Sequence, residues 1–223
     1  MWQSYEKKSE TSKKFLSLTQ FIRIFNANYL LFSWENRNFV LKISKTMTTL
    51  YLVRHGETVD NAAQILQGQT PGKLNEKGIE QAEEVAGKMV NNHIDAFVSS
   101  DLNRSLETCE IIARPHFPEG TNLEKVITTT PLLRERDWGD FTGKFIPSLP
   151  KDPKDWPSNI EGLEKMKSRA QNFLTWLKVT FPDKTVLAVG HGIINKAVQS
   201  VYYKRPMNEI EKMTNAEVRV LVL

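Results

Sequence analysis

YLVRHGETVDN, residues 51–61, ends an apolar run in a cation, a titratable ring and a glycine. Leu50, Tyr51, Leu52 and Val53 suit a pleated, buried strand. Arg54, His55 and Gly56 follow at once, with Glu57, Thr58 and Asn61 close behind. A β-run that stops in such groups reads as a site at a sheet edge rather than as core.

Working outward from this stretch, short β-branched or apolar runs alternate with segments of helical period, the pattern of a mostly parallel sheet covered by helices. The strands read from the sequence are Leu50 to Val53, Ala96 to Ser99, Val126 to Thr129, Val186 to Val189 and Val218 to Leu223. Asn75 can cap a helix whose buried stripe is Ile79, Ala82, Val85, Ala86 and Met89. Three further stripes run through Leu102, Ser105, Leu106, Cys109 and Ile112; through Leu163, Met166, Ala170, Phe173 and Leu177; and through Ile193, Ile194, Ala197, Val198 and Val201. The fold class expected is a three-layer α/β/α sandwich over residues 47–223. Between Arg136 and Pro157 the period disappears, with Pro147, Pro150, Pro153 and Pro157 and lysines at 144, 151 and 154, which marks a loop.

The 223 residues are 40% hydrophobic and 25% charged, an ordinary globular balance. A net charge of +4 raises nucleic acid or an anionic surface as a partner, so the distribution decides. Residues 1–46 hold 8 Lys+Arg against 3 Asp+Glu, which leaves 22 against 23 for the rest. The basicity sits in the N-terminal arm, and neither nucleic acid nor membrane is an expected partner. Gln20, Arg23, Asn26 and Asn28 interrupt the arm's apolar stretch, so it reads as a flexible extension before Met47 rather than as a secretory signal. The single cysteine, Cys109, allows no internal disulfide and fits a reducing, cytoplasmic setting.

In open α/β sheets, ligands bind beyond the carboxyl ends of the parallel strands. After the first strand come Arg54, His55 and Gly56; after the second, Ser99, Ser100, Asp101 and Arg104; after the third, Arg134 and Glu135; after the fourth, Gly190, His191 and Gly192. Two histidines and at least two arginines gathered at one edge call for a small polyanion, and phosphate is the natural candidate. No two histidines stand at metal-ligand spacing. His93 and His116 lack comparable context and are expected at the surface.

These residues carry a resemblance. From Met47 to Leu223 the chain resembles the histidine phosphatase superfamily, also called the phosphoglycerate mutase-like family, through LVRHGETVDN (52–61), LQG (66–68), LNEKGIEQA (74–82), VSSDLNRSLET (98–108), LLRERDWGDFTG (132–143) and VGHG (189–192). The resemblance implies hydrolysis of a small phosphorylated metabolite through a phosphohistidine on His55, with no metal or other cofactor. It implies that a backbone acceptor such as Gly56 holds the His55 tautomer, and that Arg54, Arg104 and His191 clamp the phosphoryl oxygens. Asn61, Gln67, Gly68 and the amide of Gly192 are the further substrate contacts it implies, and Glu135 the proton donor and later base. His191 serves this role best when protonated, which a nearby phosphate favours. One departure stands out: Leu163 falls where many members carry a glutamate in a Gly-Glu-Ser step. Mutases of the family carry a longer insertion between the stretches of Glu135 and His191 than the 55 residues found here, which favours the phosphatase branch over a phosphoglycerate mutase. A phosphate-binding module without turnover is the alternative from a different functional class.

Overall fold

The computed structural model describes residues 23–24, 29–34, 37–42 and 47–223. The chain divides into two compact units, Met1–Thr46 and Met47–Leu223. In the first, β1 (Arg23–Ile24), β2 (Tyr29–Trp34) and β3 (Arg37–Lys42) form an antiparallel sheet, with Tyr29 opposite Lys42 and Trp34 opposite Arg37. These strands are not among those read from the sequence, because neither YLLFSW nor RNFVLK alternates cleanly between apolar and polar positions. The rest of the extension expected over 1–46 lies outside the described residues.

The second unit is built on β4 (Thr49–Arg54), β5 (Ala96–Ser100), β6 (Ile127–Thr130), β7 (Thr185–Gly190) and β8 (Val218–Val222), in the spatial order β6-β5-β7-β4-β8. The first four in that order are parallel, and β8 runs antiparallel along β4. Five helices accompany the sheet: α1 (Val59–Ala62), α2 (Glu76–Met89), α3 (Asn103–Ala113), α4 (Leu163–Thr180) and α5 (Gly192–Tyr203).

Period two sorts the strand residues into two cores. Leu50, Leu52, Val98, Val186 and Ala188 pack with Met166, Ala170, Phe173, Leu177, Ile194 and Val198 of α4 and α5. Val53, Phe97, Leu187 and Val189 pack with Val85, Met89, Cys109 and Ile112 of α2 and α3. Helices thus cover both faces, the three-layer α/β/α arrangement. Each Val, Leu, Ile, Phe or Met side chain among them taken fully out of water contributes about 1.5–3 kcal/mol.

Every expected strand is present. Asn75 caps α2 as expected, its side chain accepting from the Gly78 N–H at 2.8 Å. Three surface assignments change. Ile79 and Leu163 are 36% and 46% exposed rather than part of their helices' buried stripes, because each sits in the first turn, beyond the reach of the sheet. His116 is half-buried, its ring centroid 5.2 Å from that of Phe97.

The placement of the site follows from the sheet order. β4 and β7 are parallel neighbours in register, Arg54 opposite Gly190. The residue after each strand is a histidine, and the His55 N–H donates to the Gly190 carbonyl at 3.0 Å. His55 and His191 are therefore brought together by the register itself.

Candidate active site

The rings of His55 and His191 lie 5.0 Å apart, centroid to centroid, and both side chains are buried. His55 Nδ1 is 2.7 Å from the Gly56 carbonyl oxygen, which makes Nδ1 the protonated nitrogen and leaves Nε2 with its lone pair as an acceptor. Gly56 is needed for closeness: a Cβ there would meet the Gly78 carbonyl oxygen at 2.4 Å, and a Cβ on Gly78 would meet the Glu57 carbonyl oxygen at 2.0 Å. The first turn of α2 thus sits directly on the backbone that carries the nucleophile-like ring. The Gly56 N–H donates to Thr108 Oγ1 of α3 at 3.1 Å, a second brace.

Burial, then the Arg104 and Arg54 charges, hold the His55 ring well below its ordinary pKa, and it is neutral near pH 7. His191 is pushed down in the same way, by burial first, then by Arg104, His55 and Arg54. A neutral His191 in the free protein differs from the protonated ring that phosphate binding favours. The difference is what an anion would supply.

Arg54 donates through one terminal nitrogen to the Met213 carbonyl at 2.7 Å, while its Nε is buried without a partner. Both ring nitrogens of His191 are also buried and unpartnered. Arg104 presents its Nε to His55 Nε2 at 3.4 Å and spends its terminal nitrogens on the carbonyls of Thr70, Pro71 and Gly68, at 2.5, 3.3 and 2.8 Å. It therefore holds the 68–71 loop as well as facing the ring, and burial lowers its pKa to about 10. Gly68 and Gly72, at φ +53° and +67°, allow that loop to curl around the guanidinium.

Glu135 lies across the site. Its Oε1 accepts from the Arg136 N–H at 2.8 Å and its Oε2 from the Ile193 N–H at 3.1 Å, at the first turn of α5. A Cβ built on Gly192 would stand 3.6 Å from Arg54 Nε, Glu135 Oε2 and Lys212 Cε alike, so the three converge where Gly192 leaves room. Asn61 and Gln67 are joined to each other, Asn61 Nδ2 donating to Gln67 Oε1 at 3.3 Å, with Thr58 Oγ1 donating to the same oxygen at 3.1 Å. Arg54, His55, Asn61, Gln67, Gly68, Arg104, Glu135 and Gly192 line one cavity of about 380 Å³; His191, fully buried beside His55, is not among the lining residues. Arg134 does not join them. It turns outward to pair with both oxygens of Asp101, Nε to Oδ1 at 2.8 Å.

Four contributors were not legible as site residues. Lys212 lines the cavity, its pKa lowered by burial and by Arg54. Asn215 donates to the His55 carbonyl at 3.1 Å and to Asn61 Oδ1 at 3.3 Å. Glu161, buried, takes Arg169 at 2.8 Å, and Arg169 donates in turn to the Leu132, Arg134 and Glu135 carbonyls. This pair fixes the backbone that presents Glu135. Leu163 is not among the lining residues, while Glu161, two positions earlier, takes up this buried supporting role. Among the described residues no cluster of three or more His, Cys, Asp or Glu is placed to hold a metal ion, and no helix is long and apolar enough to cross a membrane.

Buried donors without acceptors are rare in folded proteins because each costs about 1–3 kcal/mol. Arg54 Nε, at the cavity, and the His191 ring, 5.0 Å from that of His55, are such groups. Similar chains bear on the same point. A Yersinia pestis protein and a Yersinia pseudotuberculosis protein, both named "Probable phosphoglycerate mutase GpmB", are 42% identical over 110 residues, covering 49% of this chain and 48% of theirs. The aligned stretch spans about half the length of these curated relatives. Among solved structures, Bacillus stearothermophilus YhfR is 27% identical with a TM-score of 0.68, over 78% of this chain and 90% of that one. Phosphoserine phosphatase from Entamoeba histolytica is 26% identical with a TM-score of 0.66, over 78% and 89%. A mycobacterial glucosyl-3-phosphoglycerate phosphatase is 25% identical with a TM-score of 0.66, over 79% and 90%. The model of the histidine phosphatase superfamily (branch 1) matches residues 50–223, and the chain belongs to that superfamily.

Proposed function

We propose that this protein hydrolyses phosphomonoesters of small metabolites through a phosphohistidine on His55. The observation that carries the reading is the set of buried, unpartnered polar atoms, the Arg54 Nε donor and the two His191 ring nitrogens, near a ring whose Nδ1 is already held by Gly56. His55 Nε2 attacks phosphorus and the P–O bond to the alcohol breaks, while Glu135 gives its proton to the departing oxygen. Arg54, Arg104 and His191 hold the equatorial oxygens as charge shifts along the line of attack. In the second step Glu135, now a carboxylate, takes a proton from water. The water oxygen bonds to phosphorus, the P–N bond breaks, and phosphate leaves with His55 restored.

The supporting test is a rapid quench after mixing with a labelled phosphomonoester. Acid-labile, base-stable label on the wild-type chain, absent from His55→Ala, is expected; label persisting in that variant would move the nucleophile elsewhere. A module that only binds phosphate would give no label at all.

A second reading, phosphoglycerate mutase, is favoured by the name of the 42% identical relatives. Against it stands the short connection between Glu135 and His191, 55 residues, since a longer closing segment would be needed to keep water from a phosphoenzyme. Supplying 3-phosphoglycerate with its bisphosphate primer separates the two: phosphate release is expected, and fast 2-phosphoglycerate formation with little phosphate would favour the mutase.

A further inference from the structure

Beyond the anion-facing residues, the lining of the cavity changes character. Nine of its remaining eleven residues are apolar, and the other two are Lys151 and Lys212. Trp138, Phe141 and Trp156 form an aromatic group, Trp156 edge-on to Trp138 at 5.8 Å and to Phe141 at 6.2 Å. The Arg136 guanidinium covers Trp138 at 4.5 Å and Trp156 at 5.5 Å, and the Trp156 indole N–H donates to the Pro150 carbonyl at 2.9 Å. Ile65, Ile146 and Leu149 complete this wall.

The wall is held in place rather than loose. Ile65 and Phe145 are bridged antiparallel, and hydrogen bonds run from Leu66 N to Lys144 O at 2.9 Å, from Gly143 N to Leu66 O at 2.8 Å and from Ile146 N to Gln64 O at 2.8 Å. The proline-rich segment is thereby pinned to the edge of the cavity. Yet Ile146 is 47% exposed there, apolar surface left in water in the free protein. Of the three lysines of this segment, only Lys151 reaches the cavity; Lys144 lies over the Phe141 ring at 5.7 Å and Lys154 is exposed. An array of cations for a second anionic group is not what the segment builds.

We infer that the site selects phosphomonoesters whose alcohol part carries an apolar body of aromatic-ring size, seated against Trp138, Phe141, Trp156 and Ile146, over compact polar esters such as 3-phosphoglycerate. As a statement about substrates this rests on the hydrolase reading, whereas as a statement about affinity it does not. Two measurements keep them apart. In the first, 2-phenylethyl phosphate and ethyl phosphate are compared as substrates, because their leaving alcohols are of similar basicity and differ in the apolar body. A kcat/KM ratio of about tenfold or more is expected, the scale of discrimination a hydrophobic pocket provides. In the second, 2-phenylethylphosphonate and ethylphosphonate, which have no P–O–C bond to cleave, are titrated calorimetrically into wild type and Trp156→Ala. Tighter binding of the phenylethyl compound by about tenfold in wild type, with the ratio collapsing towards one in the variant, is expected. A ratio near one in wild type overturns the inference whatever the turnover. Loss of the ratio in Ile146→Ser serves the same purpose should Trp156→Ala not fold, and an unchanged ratio in every folded variant would place the apolar contact elsewhere. Preferential binding without phosphate release from either ester would leave the apolar selectivity standing and remove the hydrolase reading.

Discussion

At the scale of single residues, the two buried histidines make stability depend on pH. Their folded-state pKa values lie well below the ordinary 6.5, so in the window between 6.5 and those lower values the unfolded chain carries protons that the folded one does not. Stability is then fully present above pH 6.5 and falls as the pH drops below it, by about 1.4 kcal/mol per ring for each pH unit. His116, also lowered by burial, adds in the same direction, while Glu110, raised by burial, opposes it. Asp95 and Glu57, both lowered, act only in the carboxylate range. Urea midpoints taken between pH 8 and pH 5.5 should fall, and the His191→Gln variant should show a shallower fall than wild type. Inorganic phosphate should flatten the wild-type slope, since an anion beside His191 raises its pKa. Of the residues that build the site, those directly after parallel strands were readable from the sequence because the end of a parallel strand is the ligand-binding edge. Lys212 and Asn215 were not. They precede β8, which is antiparallel to β4, so it is the residues before that strand that reach the same edge, and strand direction is set by tertiary pairing rather than by any local period.

At the scale of elements, the first turn of α2 packs directly against the strand end that carries His55. With Gly78 approached by the Glu57 carbonyl and Gly56 by the Gly78 carbonyl, neither position can take a side chain without displacing backbone. Gly78→Ala should cost about 1–3 kcal/mol, the usual penalty for forcing volume into a packed site. It should also depress phosphatase turnover more than Gly87→Ala, where a Cβ meets nothing within 4 Å. Thermal melts and initial rates on the two variants provide the check, and equal effects would mean that α2 shifts without moving His55. Strand and helix positions were legible because the central strands β5 and β7 are almost wholly buried and the helix stripes are amphipathic. The first-turn residues Ile79 and Leu163 were misassigned because a period says which face a residue occupies but not how far the opposing surface extends. The β2–β3 pairing was missed for the complementary reason: runs without alternation carry no period to read.

At the scale of the whole molecule, residues 47–223 hold the two hydrophobic cores and the cavity found among the described residues. A chain beginning at Met47 should unfold cooperatively and hydrolyse phosphomonoesters at close to the full-length rate; loss of either would make residues 1–46 part of the folding unit. The family motifs reveal this unit in sequence, but not the order of its sheet, which depends on pairings between distant segments. That order has a consequence for how the protein comes into being. β4 is the earliest strand of its sheet to be synthesised, yet its neighbours on both sides, β7 and β8, are the last two. Pairing across such separations is slow because the chain must close long loops before contacts reward it. On the ribosome, His55 therefore emerges on a strand with no ladder partner, and His191 and Asn215 join it only after β7 and the segment before β8 have been released. The proposed activity is expected only once those segments have emerged, so it should report how far synthesis has gone.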